Sequence, residues 1–273
     1  MAARREIRGV RPELLADLLN GAGKPAGAPG TVRTPPPAAP GIAQPPYRMG
    51  EHGAIVLDVA GRSVVDGSKL TLLVLAMVFD SYVAIDLDSG AFVRARGSGL
   101  SALKVRPYDV VSAQLARDEE PPDPSSPEAV TLGGPPRPVG RLRHRKAERY
   151  VRRLLAPDGP ALLGFVGSSI PSWDLSGAGP SLALLELERG IQVVAKHDPH
   201  PIWARFQLAQ ILHNLPVTDP RLHAVMSEGQ KPYLSGDALS KALGFRPHYL
   251  LVTLTPPLGG RCYKAVAAAL PRP

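Results

Sequence analysis

LTLLVLAMVFDSYVAIDLDSGAFVRAR, residues 70–96, is the stretch on which the fold turns. It opens with a continuous apolar run, 70–79, interrupted only by Thr71. That is long for a single buried strand, so a short helix competes with a strand there. The next segment is plainer. From Tyr82 to Leu87 the pattern alternates, with Val83, Ile85 and Leu87 on one side. A period of two is the signature of a strand with one buried face. Asp88, Ser89 and Gly90 then form a turn signal leading into a partner segment at 91–96, so the pair reads as a hairpin.

Strand signals continue on both sides. Residues 109–115 alternate, with Val111, Ala113 and Leu115 on one face, and so do residues 54–60, with Ile55, Leu57 and Val59. Asp66-Gly67 marks a turn. Short strands with turn signals this close predict an antiparallel meander or a small barrel over residues 51–117.

Two segments around this block lack the apolar content to form a core. Residues 1–50 form a basic arm rich in Pro, Gly and Ala, with one two-turn helical pattern at 12–19 and Pro35-Pro36-Pro37 further on. Such a composition predicts a disordered tether, or a small helix that folds on a partner. Residues 118–139 place Asp118, Glu119, Glu120 and Asp123 among prolines and end in Gly133-Gly134-Pro135-Pro136. They read as an acidic linker, which could fold back on the basic segment that follows.

That segment is RLRHRKAERYVRRLL, residues 141–155, with seven basic residues and one acid, Glu148. At helical period Ala147, Tyr150, Val151, Leu154 and Leu155 share a stripe, and the arginines take the opposite side. Gly140 precedes it and Pro157 prevents it from running on. Arg141, Arg145, Lys146, Arg149, Arg152 and Arg153 form a ridge suited to phosphate, because guanidinium groups pair with it bidentately. The ridge could equally be a solvated outer face, or a surface for an acidic protein or membrane.

Beyond it, residues 140–273 mix helix and strand patterns. Residues 161–166 read as a buried strand, 182–187 and 191–196 as a hairpin across Glu188-Arg189-Gly190, and 201–213 as a buried helix. Residues 235–243 read as a short helix with Ser235 as N-cap, Leu234 stapled on Leu239, and Gly244 at the C-cap. Residues 249–255 read as a strand, and 262–270 as a strand that turns helical. The expected class is therefore α+β: an antiparallel β-rich domain (51–117) followed, after the 118–139 linker, by a mixed α+β domain (140–273) opened by a basic amphipathic helix.

The net charge of +8 in 273 residues favours acidic partners. The single cysteine, Cys262, rules out an intrachain disulfide and a Cys-rich metal site. No apolar run approaches the ~20 residues of a membrane-spanning helix, and no signal peptide is evident, so a cytoplasmic protein is expected.

Catalytic signatures are sparse. Gly21-Ala22-Gly23-Lys24 resembles a phosphate loop, but Pro25 follows and no strand precedes it. His197, Asp198 and His200, with His213, His223 and His248 further on, are conceivable ligands for zinc or iron, yet their spacing matches no standard set. Ser168 and Ser169 follow a glycine, with Asp174 the nearest acid, and read as a turn sooner than a nucleophile. Residues 239–251 have the cadence of a helix-turn-helix, but only Arg246 and His248 for recognition.

The expected function is thus a non-catalytic binding protein that engages nucleic acid or another polyanion through the ridge, with no cofactor and no metal. Two alternatives stand beside it: an enzyme with a histidine-rich site in the C-terminal half, possibly metal-dependent, and a scaffold that pairs the arginines with an acidic protein.

Overall fold

A computed structural model describes residues 68–100, 103–116, 123–156, 161–175, 180–195, 202–229 and 231–273. The basic arm, the strand expected at 54–60, the turn expected at Asp66-Gly67, Asp118, Glu119, Glu120, His197, Asp198 and His200 lie outside these residues.

The stretch at 70–96 is all strand. β1 (Lys69–Val78), β2 (Ser81–Asp86) and β3 (Phe92–Arg96) form an antiparallel meander. β4 (Asp109–Gln114) pairs antiparallel with the free edge of β1. β5 (Ala129–Thr131) runs parallel to β3, Leu132 then bridges to Leu115, and β6 (Arg137–Arg141) continues antiparallel along β4. β3, β2, β1, β4 and the composite β5–β6 strand therefore close a ring. Much of the segment expected to be a linker, 118–139, is the closing strand of that ring. Its composition reads as loop because β5 has only three residues and all five residues of β6 are exposed. Pairing with β4, not burial, holds β6 in place.

α1 (His144–Arg153) follows. It starts three residues later than the charge pattern suggests, and Arg141 belongs to β6. Ala147, Val151 and Leu154 are buried, with Tyr150 and Leu155 packed beside them, as the stripe predicts. Residues 161–166 do not form the expected strand. They hold a 3-10 turn, Leu162–Gly164, in which Leu163 (φ 57°) and Gly164 (φ 80°) adopt left-handed backbone. β7 (Ser169–Pro171) and a second 3-10 turn, Ser172–Asp174, come next.

A second ring follows. β8 (Leu182–Glu186) and β9 (Ile191–Ala195) are not the expected hairpin, since no pairing joins them. They are successive parts of one bent strand. β9 pairs with β10 (Ile202–Leu208), and β10 pairs with β11 (Ile211–Pro216). The helix expected at 201–213 is thus a hairpin. Ile202, Ala204, Phe206 and Leu208 point inward and Trp203, Arg205 and Gln207 outward, a period of two. Ala209 and Gln210 make the turn, both at positive φ, with no glycine to announce it.

α2 (Pro220–Gly229), β12 (Tyr233–Ser235, beside β9) and α3 (Gly236–Leu243) lead on to β13 (Tyr249–Leu254) and β14 (Arg261–Leu270). α3 ends as expected at Gly244 in left-handed backbone, although the Ser235 side chain makes no capping bond. In the segment with a helix-turn-helix cadence, 239–251, α3 takes the first helix and β13 stands where the second would be. β14 is strand throughout, despite Ala267, Ala268 and Ala269, whose helix propensity yields to packing. β13 pairs with β8 and with β14, and Val217 bridges in parallel to Val266. The ring thus closes in the order β11, β10, β9–β8, β13, β14. Each ring has the same connectivity: a three-strand meander, a long connection, and a final hairpin whose last strand runs parallel to the third.

Each ring has its own interior. Leu72, Val74, Tyr82, Ala84, Val93, Val111 and Val130 fill the first, where the Tyr82 hydroxyl donates to the Leu100 carbonyl at 2.6 Å. Phe206, Leu222, Met226, Leu239, Val252 and Val266 belong to the second. A third cluster lies between them. There Leu73, Leu75, Val83, Ile85 and Val110 of the first ring meet Leu182, Leu184, Tyr249, Leu251, Ala267 and Ala268 of the second, with α1 against both. β2 shows why alternation misleads here. Val83 and Ile85, expected to face the core, face this seam, and Tyr82 and Ala84 fill the ring. The described residues are mostly β-sheet with three helices, and none of the helices is long and apolar enough to cross a membrane.

Candidate functional site

The two rings present the same region, the outer face of the second and third meander strands, in opposite states. In the first ring that face is closed. Val83 and Ile85 are in the seam, and Arg94, only 3 % exposed, reaches across it. The Arg94 guanidinium donates from Nε to Glu128 at 2.8 Å and from one terminal nitrogen to the Thr253 hydroxyl at 2.8 Å. The other Glu128 oxygen accepts from the Ser181 hydroxyl at 2.5 Å. Arg94 and Glu128 belong to the first ring's part of the chain, Ser181 and Thr253 to the second's. All four are buried, so this charged pair is satisfied on both sides of the seam. Tyr108 adds a bond from its hydroxyl to the Pro271 carbonyl at 2.6 Å, and burial pushes its phenol well above the ordinary tyrosine range.

In the second ring the same face is partly open, with Tyr233, Arg205, Leu212 and Asn214 exposed and Trp203 half-buried, its indole nitrogen covered. Strand register sets its side chains in rows across β12, β9, β10 and β11. One row is Tyr233, Val194, Trp203 and Pro216; the next is Ser235, Gln192, Arg205 and Asn214. Gln207 and Leu212 begin a third. Tyr233 is 56 % exposed and Leu212 72 %. The row between the first two, Leu234, Val193, Ala204 and Leu215, fills the interior and fixes the sheet beneath. Two aromatic rings flank Val194 on neighbouring strands, with an arginine one row away. A planar, apolar group with an anionic appendage fits such a surface.

The ridge seen in the sequence is on the surface. Arg145, Lys146, Arg149, Arg152 and Arg153 are exposed on α1, and Arg141 is exposed on β6, 3.7 Å from Asp109. Glu148 sits among them. Arg272 donates to it at 2.5 Å and Arg152 at 3.2 Å, and His144 lies 3.6 Å away. The hydrogen bond from Arg272 leads in holding the Glu148 carboxyl below the usual range. The ridge shares the α1 segment with the seam but not the open face of the second ring.

The other candidates fall apart spatially. His213 stacks on Phe206 at 5.3 Å inside the second ring, and burial lowers its pKa. His223 Nε2 lies 2.7 Å from the Val217 carbonyl, and His248 is 3.1 Å from Glu186. Among the described residues no group of three or more His, Cys, Asp and Glu gathers as a metal site would require. The Ser169 hydroxyl accepts from Arg261 Nε at 3.1 Å. Asp123 bonds Ser125. Cys262 is buried, and that burial raises its pKa, so it packs as a small hydrophobe.

Sequence reasoning missed Trp203, Arg205 and Tyr233 because it folded 201–213 into a helix. Read at a period of two, PIWARFQLAQILHNLP puts Trp203, Arg205 and Gln207 on one face without further information. It also missed Lys264, which is buried in the second ring, donates to the Phe165 carbonyl at 2.6 Å and lies 3.9 Å from the centre of the Phe165 phenyl group. Burial lowers its pKa to about 8.

The family model described as the dual OB-containing domain matches residues 100–269, more than half of the chain, and the chain belongs to that family. The matched span starts at the end of the first meander and runs through the whole second ring. No curated protein and no solved structure matches the chain.

Proposed function

We propose that this member of the dual-OB family is a non-catalytic binding protein for single-stranded nucleic acid, and that the outer face of β9, β10 and β11 is where it binds. OB folds are built for this, since the second and third strands and the loops at their ends carry oligonucleotides. The observation that carries the reading is the pairing of Trp203 and Tyr233 with Arg205 on an open face, while the equivalent face of the first ring is closed. Bases stack on aromatic rings with little regard for sequence, and arginine meets the backbone phosphates. Gln192, Gln207 and Asn214 add hydrogen-bonding groups on the same face.

The α1 ridge has a different role in this reading. Arg145, Lys146, Arg149 and Arg153, with Arg141 and Arg152, offer charge without aromatic platforms, so they supply phosphate contacts that any nucleic acid satisfies. The two surfaces therefore separate stacking from charge.

Fluorescence anisotropy of the full chain with labelled single- and double-stranded oligonucleotides, at low and moderate salt, tests the proposal. Tighter binding of the single strand, weakening linearly in log salt and lost on Trp203→Ala with Arg205→Glu, supports it. Equal affinity for duplex and single strand, unmoved by those changes, assigns binding to the ridge alone. No binding at low salt ends it.

A further inference from the structure

Trp173 is the most exposed large aromatic among the described residues, and it is held there. It sits on the 3-10 turn Ser172–Asp174, with 74 % of its surface exposed. The backbone N–H of Ser172 donates to the Gly260 carbonyl at 2.9 Å, and its hydroxyl lies 3.2 Å from the same oxygen. Gly260, at φ 76°, presents its bare Cα to the indole: a Cβ added there would lie 3.0 Å from the ring. One part of the indole is thus seated on the β13–β14 loop and the rest faces solvent. The next residue, Arg261, has its guanidinium aimed by Ser169, through the hydroxyl at 3.1 Å and the carbonyl at 3.4 Å.

Exposing a tryptophan forgoes the burial of a large apolar side chain, and single exposed aromatics are common enough to need a further reason before they imply a ligand. Position supplies that reason. The parallel bridge Val217↔Val266 sets the levels of β11 and β14, so the start of β14 lies at the same end of the ring as the start of β11. Leu212, the exposed end of the open face, is there. β7, which leads directly into the Trp173 turn, pairs with β14 at that end. A clamped indole beside an oriented guanidinium repeats, at the end of the open face, the Trp203 and Arg205 combination at its centre.

We propose that Trp173 and Arg261 form a second base-stacking and phosphate subsite, taking a nucleotide of the same single strand that crosses Trp203. This rests on the reading under Proposed function and extends it from one platform to two. The strand then runs from the β9–β10–β11 face toward the β13–β14 loop.

The chain contains two tryptophans, Trp173 and Trp203, so each can be made the sole reporter. Trp203→Phe leaves Trp173 as the only indole, and Trp173→Phe leaves Trp203. Each full-length variant is titrated with a labelled 15-nucleotide oligothymidylate at low salt, reading indole quenching and label anisotropy together. The expected result is saturable quenching of Trp173 with the same midpoint as the anisotropy, and a loss of about 5- to 100-fold in affinity for Trp173→Ala. Gly260→Ala, which keeps the indole but displaces it, should weaken binding in the same direction. If Trp203 responds while Trp173 does not, and Trp173→Ala binds as the parent does, the second subsite is wrong and the first reading survives. If no variant and no parent binds, both fall. Parent-like thermal melting of each variant keeps a folding defect from imitating a lost contact.

Discussion

The first ring hides the face that the second ring shows. Both rings share one connectivity, yet Val83, Ile85 and Arg94 are sealed against the neighbouring ring, whereas Trp203, Arg205 and Tyr233 look outward. The difference lies in side-chain chemistry at matching positions. Apolar residues on both sides of a strand make a seam, and aromatic and polar residues on one side leave a surface. One copy of the fold acts as a brace and the other as the working part.

The largest test of that division is Arg94→Ala. It leaves Glu128 buried with only Ser181 for company, and removing one partner of a buried pair costs about 3–5 kcal/mol. Urea unfolding should show the loss in a shifted midpoint. Oligonucleotide affinity of the folded fraction should stay at the parent value, and a drop in affinity would mean the seam is part of the binding site.

A second comparison sets the paired Arg94 against Lys264, whose ammonium donates to a carbonyl and lies over an aromatic ring. Its pKa falls to about 8 from 10.5 by burial. Between those values the unfolded chain holds a proton that the folded chain has released, so stability rises with pH across the window and the charge is a burden below it. The rise should reach about 2 kcal/mol by pH 10. Lys264→Met, which removes the titrating group, should flatten it. Denaturant melts from pH 7 to pH 10 would show it, and a parent profile no steeper than the variant's would contradict the assignment.

Trp203→Ala and Tyr233→Ala probe the open face directly. Each should cost about 1–3 kcal/mol in oligothymidylate affinity; the melting curve should stay nearly unchanged for the exposed Tyr233 and shift down for the half-buried Trp203. The mirror-image experiment, Val83→Ala, should do the reverse, lowering stability with no effect on binding. The smallest expected effect is that of Arg145→Glu with Arg149→Glu. If the ridge meets phosphates, the slope of log affinity against log salt should become shallower by about two. An unchanged slope would retire the ridge as a contact surface.

Much of this architecture was legible in the sequence, and the failures share a cause. The meander at 70–96, the amphipathic α1 and the Gly244 cap were readable because each is a local pattern. Residues 201–213 were not, because the turn at Ala209 and Gln210 uses left-handed backbone without the glycine or asparagine that ordinarily signals it. β8 and β9 looked like a hairpin because Glu188-Arg189-Gly190 resembles a turn, and only long-range pairing reveals a bend within one strand. β5 and β6 looked like linker because a strand held by its partner and open to solvent needs no apolar signature. The arginine ridge was legible as a feature, and its exposure was not. The open face was invisible as soon as its strands were read as helix.

The seam also has a consequence in time. Strands β1, β2 and β4 complete their ring with β6, at Arg141, but the surfaces that cover Leu73, Leu75, Val83 and Ile85 include β13 and β14, which ends at Leu270. A ribosome adding about 5–20 residues per second takes roughly 6–26 s to bridge that gap. Throughout that interval a nascent first ring would carry a broad uncovered apolar face, the kind of surface that chaperones hold and that crowded chains stick to. β14, the farthest in sequence from β1 among the strands that line the seam, is therefore the one that makes the first ring safe.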